Sequence, residues 1–156
     1  DEMSENLPEH TIRMDNRNLH YQVGKLYYGV GNKEQFKNVL DELVVRSDNT
    51  VPHRVEYAQS YMELTEYETS LYILNELHET YLALESKINA GGREQKDVNT
   101  EVWNQYRKNF PDIVSHLVTT YRQLERDDEA KDLLTSWLER NPEDKEARKM
   151  LEELNK

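Results

Sequence analysis

The chain has 156 residues, of which 36% are hydrophobic and 33% charged, with a formal net charge of −11 and no cysteine. That balance argues against nucleic acid and anionic membrane surfaces, which both select for an excess of Lys and Arg. It also removes disulfide and thiolate chemistry, and no run is long and apolar enough to span a bilayer. A hydrophobic content this low suits thin helical layers, in which each unit touches only its neighbours. The ten tyrosines fit a shallow core, because each buries a ring and keeps a wet hydroxyl.

Residues 1–16 are polar, contain Pro8 and show no apolar period, so they read as an extended or disordered lead-in. A start at Asp1-Glu2 reads as a fragment or a processed product. From Asn18 the spacing of Leu19, Val23, Leu26, Tyr27 and Val30 predicts a helix, ended by Gly29-Val30-Gly31-Asn32. A second helix carries Phe36, Val39, Leu40, Leu43 and Val44 on one face, and Ser47-Asp48-Asn49-Thr50 breaks it. The third begins near Pro52 and is marked by Val55, Ala58, Tyr61, Met62 and Leu64. After a turn at Thr65-Glu66, a fourth carries Tyr67, Leu71, Leu74, Leu77, Tyr81 and Leu84, with no breaker before Asn89-Ala90-Gly91-Gly92.

Residues 90–100 read as a loop, Glu101–Phe110 as a short helix, and Pro111 as its interruption or restart. Ile113, Val114, Leu117, Val118, Tyr121 and Leu124 predict the next helix, and Ala130, Leu133, Leu134, Trp137 and Leu138 its partner, ended by Asn141-Pro142. Asp144–Leu154 is a closing amphipathic helix. No segment alternates as a strand does, so the expected class is all-α.

No catalytic constellation emerges. None of His10, His20, His53, His78 and His116 has a second histidine one turn away with a carboxylate between, so a zinc motif fails. Ser115 and His116 are helix neighbours, about 100° apart, and do not face each other. Gly24-Lys25 and Gly29-Val30-Gly31 lack the Walker spacing of a phosphate loop. Trp137 is expected in the core, and Trp103 is expected to pack the segment it belongs to onto the helix pairs.

Tyr27, Tyr61 and Tyr121 share a local setting, with Gly24, Ala58 and Val118 three residues earlier, and Tyr27 and Tyr61 lie 34 residues apart. In the third copy Tyr121 is followed by Ala130, Leu134 and Asn141-Pro142; in the second, Tyr61 is followed by Tyr67 and Ser70; in the first, Phe36 stands where a small residue is usual. These marks resemble the tetratricopeptide repeat, a helix-turn-helix unit. The resemblance covers residues 17–154 and implies antiparallel helix pairs stacked as a short superhelix. About three degenerate repeats are expected at 17–50, 51–84 and 111–144, with an insert at 85–110 and a capping helix at 144–154, in one domain over 17–156.

The resemblance also implies a non-enzymatic interaction or scaffold domain without cofactor or metal. Its first-helix residues would grip a peptide, a partner helix or another domain of the same parent chain. By register these are Asn18, Tyr21, Lys25 and Tyr28, then Val55, Gln59 and Met62, then Ser115, Thr119 and Arg122. Three repeats are short for a solenoid, so self-association is a further expectation. The order of helices is also similar to the soluble tail of bacterial multi-pass proteins of the protein O-mannosyltransferase type. That alternative makes the chain an extracytoplasmic accessory domain of a membrane-bound glycosyltransferase-like protein. The compartment, cytoplasmic or periplasmic, stays open.

Overall fold

The computed structural model describes residues 9–156, with side chains from Arg17 onward. Among these residues there are eight helices and no strand: α1 (Glu9–Gly29), α2 (Lys33–Val44), α3 (Val51–Glu63), α4 (Tyr67–Ala90), α5 (Gly92–Lys96), α6 (Thr100–Gln123), α7 (Asp127–Arg140) and α8 (Lys145–Leu154). The fold is all-α and repeat-like, with helices packed in contacting pairs. The chain divides after Asn49 into two compact units.

In the first unit α1 pairs with α2. Helix α1 begins at Glu9, so the second half of the expected lead-in is helical; the residues between Pro8 and Asn18 contain no glycine or proline to stop it. The first half of that lead-in lies outside the described residues. The buried line of α1 is Arg17, Tyr21, Gly24 and, half-buried, Tyr28. Of the line expected from periodicity, Val23 and Tyr27 are half-buried, while Leu19, Leu26 and Val30 face outward, 61%, 71% and 81% exposed. Gly24 explains the choice. A Cβ there would sit 2.9 Å from Cδ2 of Phe36, so only glycine admits that ring between the helices. Tyr21 and Tyr28 close around Phe36 with ring centroids at 6.3 and 5.5 Å. At the far end Asn49 Nδ2 donates to the carbonyls of Leu43 (2.9 Å) and Val44 (3.3 Å), satisfying orphan acceptors of α2.

In the second unit α3 pairs with α4 and α6 with α7, while α6 also packs on α3 and α4. Helix α3 starts with a capping box: His53 N–H donates to Thr50 Oγ1 (3.4 Å), and Thr50 N–H donates to His53 Nδ1 (3.1 Å). The expected insert is mostly helix. It consists of the last turns of α4, the single-turn α5 where a loop was expected, and the first turns of α6. Helix α6 runs unbroken through Pro111. Proline withholds one N–H from the ladder, and Pro111 lies exposed, where the Arg107 carbonyl can turn to water. Tyr106 and Phe110 are buried and Trp103 is half-buried; Trp103 stacks on Tyr81 (5.3 Å, 21°). Trp137 Nε1 donates to Asp144 Oδ2 (2.8 Å), and Asp144 Oδ1 accepts from Ala147 N–H (3.0 Å), which ties α7 to the cap of α8.

The repeated tyrosine marks a repeated turn. Asn32 N–H donates to the Tyr27 carbonyl (2.8 Å), Glu66 N–H to Tyr61 (2.9 Å) and Arg126 N–H to Tyr121 (2.8 Å). The preceding residue is left-handed each time: Gly31 at φ 85°, Thr65 at 61° and Glu125 at 57°. Its own N–H donates to the carbonyl just after the tyrosine, at Tyr28, Met62 and Arg122. Each α-α turn is therefore a Schellman closure, a glycine position in the first pair and a strained one in the other two.

In the first two helix pairs the residue three before the tyrosine meets the residue nine after it. Across the three pairs the occupants of these positions are Gly24 and Phe36, Ala58 and Ser70, Val118 and Ala130. Bulk moves from the second helix to the first along this series. In the middle pair the Ser70 hydroxyl donates to the Ala58 carbonyl (2.9 Å). Phe36 is thus accommodated by its opposite residue.

Candidate functional site

Helices α4, α6 and α7 enclose a cleft of about 370 Å³ in the second unit. Phe110, Val114 and Tyr121 come from α6, Asn75, His78 and Leu82 from α4, and Leu133, Ser136 and Trp137 from α7. The spacing of Asn75, His78 and Leu82, and of Leu133, Trp137 and Arg140, is helical, so each set projects from one face. Tyr121 Oη donates to Asn75 Oδ1 (3.2 Å), which braces α6 against α4.

An aromatic cluster lies along one side. Phe110 stacks on Tyr81 (3.6 Å, 11°) and His78 (5.7 Å, 17°) and meets Trp137 at a tilt (5.9 Å, 51°). Burial lowers the His78 pKa, and the nearby Arg140 charge lowers it further. The Arg140 guanidinium lies 6.0 Å from the Phe110 centroid and donates to Glu85 Oε2 (2.5 Å), which also accepts from the Tyr81 hydroxyl (2.9 Å). Burial works to raise the Glu85 pKa, but the hydrogen bonds from Arg140 and Tyr81 outweigh it and hold the group ionised. Burial and the Glu85 bond push the Tyr81 phenol up to about 12. Arg140 is thereby neutralised by an internal partner; of the remaining charged lining, Glu129 accepts from Arg126 (3.0 Å) and Asp132 lies exposed. Beyond Asn75 the α4 surface continues with Tyr72, Glu76 and Glu79.

The expected first-helix site residues separate into two groups. Tyr21 and Val55 are core residues, 7% and 8% exposed, and are not available to a partner. Tyr21 packs on Phe36, and Val55 belongs to the buried line of α3 with Val51 and Ala58. Tyr28 is half-buried against Phe36, and Met62 is half-buried. Asn18, Lys25 and Gln59 are exposed, and the Lys25 ammonium sits 5.0 Å over the Tyr21 ring. Ser115, Thr119 and Arg122 form an exposed line on α6, where Thr119 Oγ1 donates to the Ser115 carbonyl (3.1 Å). The first-unit and second-unit residues lie in separate compact units.

The cleft draws instead on second helices, α4 and α7, which the register of first-helix positions does not reach. A signal was present in the sequence: α4 and α6 outrun a repeat helix, and Leu133 and Trp137 lie one helical turn apart beside Asp132. Ser115 is exposed and His116 half-buried, with burial lowering the imidazole pKa. Among the described residues no group of three or more His, Asp or Glu side chains could hold a metal ion. No helix among them is long and apolar enough to cross a membrane.

No protein-family profile, curated protein or solved structure matches this chain.

Proposed function

We propose that the chain is a non-catalytic interaction domain of tetratricopeptide type, whose second unit binds a basic amphipathic segment of another protein. The observation that carries this reading is the α4/α6/α7 cleft: an aromatic and aliphatic lining beside the exposed carboxylate of Asp132. A bulky apolar side chain would bury against Leu82, Leu133 and Trp137, and a flanking Lys or Arg would meet Asp132. The net charge of −11 favours approach of a basic partner over long range. Mobile acidic side chains at the rim add little binding energy on their own, so the apolar anchor supplies most of the affinity.

A random-peptide display selection on the intact chain tests this. The expected result is enrichment of sequences pairing an aromatic or long aliphatic residue with Lys or Arg one helical turn away. Asp132→Lys is expected to weaken the selected peptides about tenfold, or about 1.4 kcal/mol. Absence of enrichment, or acidic peptides that ignore Asp132→Lys, would overturn it.

A further inference from the structure

On α1 the outward line Leu19, Val23, Leu26 and Val30 is a heptad seam. The intervals are four, three and four residues, which places Leu19 and Leu26 at d and Val23 and Val30 at a. In the sequence the same register continues back to Asn16 at a and Ile12 at d. The line that packs on α2, from Arg17 through Tyr21 and Gly24 to Tyr28, falls at b and f, on the opposite side of the helix. Helix α2 therefore leaves most of the seam uncovered: Leu19, Leu26 and Val30 are exposed, and Val23 is half-buried.

Two features say what covers it. β-Branched residues at a with leucine at d are the side-chain shapes of a parallel two-stranded coiled coil, in which the seam is its own complement. The second feature is charge. From Arg17 to Lys33 there is no Asp or Glu, in a chain that has 31 of them. The flanking e and g positions hold His20, Gln22, Tyr27 and Gly29, so two copies of this acidic molecule can meet here without facing carboxylates. Helix α1 is already held by α2, so association does not have to nucleate it.

We infer that α1 forms a parallel homodimer through Leu19, Val23, Leu26 and Val30. The described seam rises only about 17 Å, so the dimer forms in the micromolar range rather than the nanomolar. This surface is distinct from the α4/α6/α7 cleft and does not depend on it.

Sedimentation velocity of the whole chain, from about 1 µM to 1 mM, reads the mass directly. The expected result is a shift from 18.6 kDa to twice that value with concentration. Leu26→Glu is expected to raise the dissociation constant at least about tenfold. Val45→Glu, at an equally exposed apolar position off the seam, is expected to leave it unchanged. Circular dichroism checks that each variant is folded. Because the chain has no cysteine, single variants report orientation. Leu26→Cys should form a disulfide-linked dimer on mild oxidation, whereas Asn38→Cys on the exposed side of α2 should not. A monomer throughout, a dimer indifferent to Leu26→Glu, equal loss with Val45→Glu, or no preference for Leu26→Cys linkage would overturn the inference.

Discussion

Helices α1 and α6 each open a helix pair and close with the same turn, yet they meet different surroundings. Helix α6 is covered by α3, α4 and α7 and buries eight side chains from Tyr106 to Tyr121. Within the first unit α2 covers one side of α1, and Leu19, Leu26 and Val30 lie exposed. Apolar periodicity identifies both helices, but it does not say how many sides are covered. The contrast teaches that an apolar side chain here stabilises only where a second layer reaches it.

The largest expected effect separates the two helices directly. Leu117, fully buried on α6, should cost about 2–5 kcal/mol when replaced by alanine. Leu26→Ala on α1 should cost under about 0.5 kcal/mol in dilute solution, below the concentration at which the inferred dimer would form. Denaturant unfolding of each unit checks both, and a large loss for Leu26→Ala would break the comparison. Next is Gly24→Ala, which forces a methyl onto Phe36 and should destabilise the first unit by about 1–3 kcal/mol. Adding Phe36→Leu should recover part of that loss, since the two positions share one space.

The turns sharpen the comparison at a finer scale. Thr65→Gly and Glu125→Gly relieve left-handed strain and should each stabilise the second unit by about 1 kcal/mol; Gly31→Ala should weaken the first unit by a similar amount. Thermal unfolding reads all three.

The smallest effects are in pH. His78 and His116 have pKa values lowered from 6.5 by burial. Below pH 6.5 the unfolded chain takes up protons that the folded second unit resists, so its stability should fall as the pH drops. His78→Gln and His116→Gln should flatten that slope. In the first unit, Asp48 accepts hydrogen bonds from Arg46 and an ion pair from Arg17, which hold its pKa at about 2 against an ordinary 3.8. Its contribution is present above pH 3.8 and is lost as the pH falls towards 2, and Asp48→Asn should remove that dependence.

Much of the helical order was legible because its signals are local. Pro52 in a first turn, Asn141-Pro142 as a helix end, and the recurrent tyrosine act over four or five residues. The buried face of α1 was not legible, because two lines of helical period run along it. Arg17-Tyr21-Gly24-Tyr28 looks poorer in aliphatic residues than Leu19-Val23-Leu26-Val30, and only the fit of Gly24 to Phe36 decides between them. Pro111 misled for a related reason: a proline breaks a helix when its freed carbonyl is buried, and this one faces solvent. The cleft was missed because it depends on how far α4 and α6 extend and on the Arg140–Glu85 pair, which joins residues far apart in sequence. The first-helix register pointed to Tyr21 and Val55, whose apolar character serves the core.

The central claim is that partner binding resides on the α4/α6/α7 cleft rather than on the first-helix face. Titration calorimetry with one display-selected peptide tests it most directly, comparing the intact chain, Asp132→Lys, and a triple variant carrying Ser115→Ala, Thr119→Ala and Arg122→Ala. About tenfold weaker binding is expected for Asp132→Lys and unchanged binding for the triple variant. Unchanged binding to Asp132→Lys with loss in the triple variant would contradict it and return the site to the exposed face of α6.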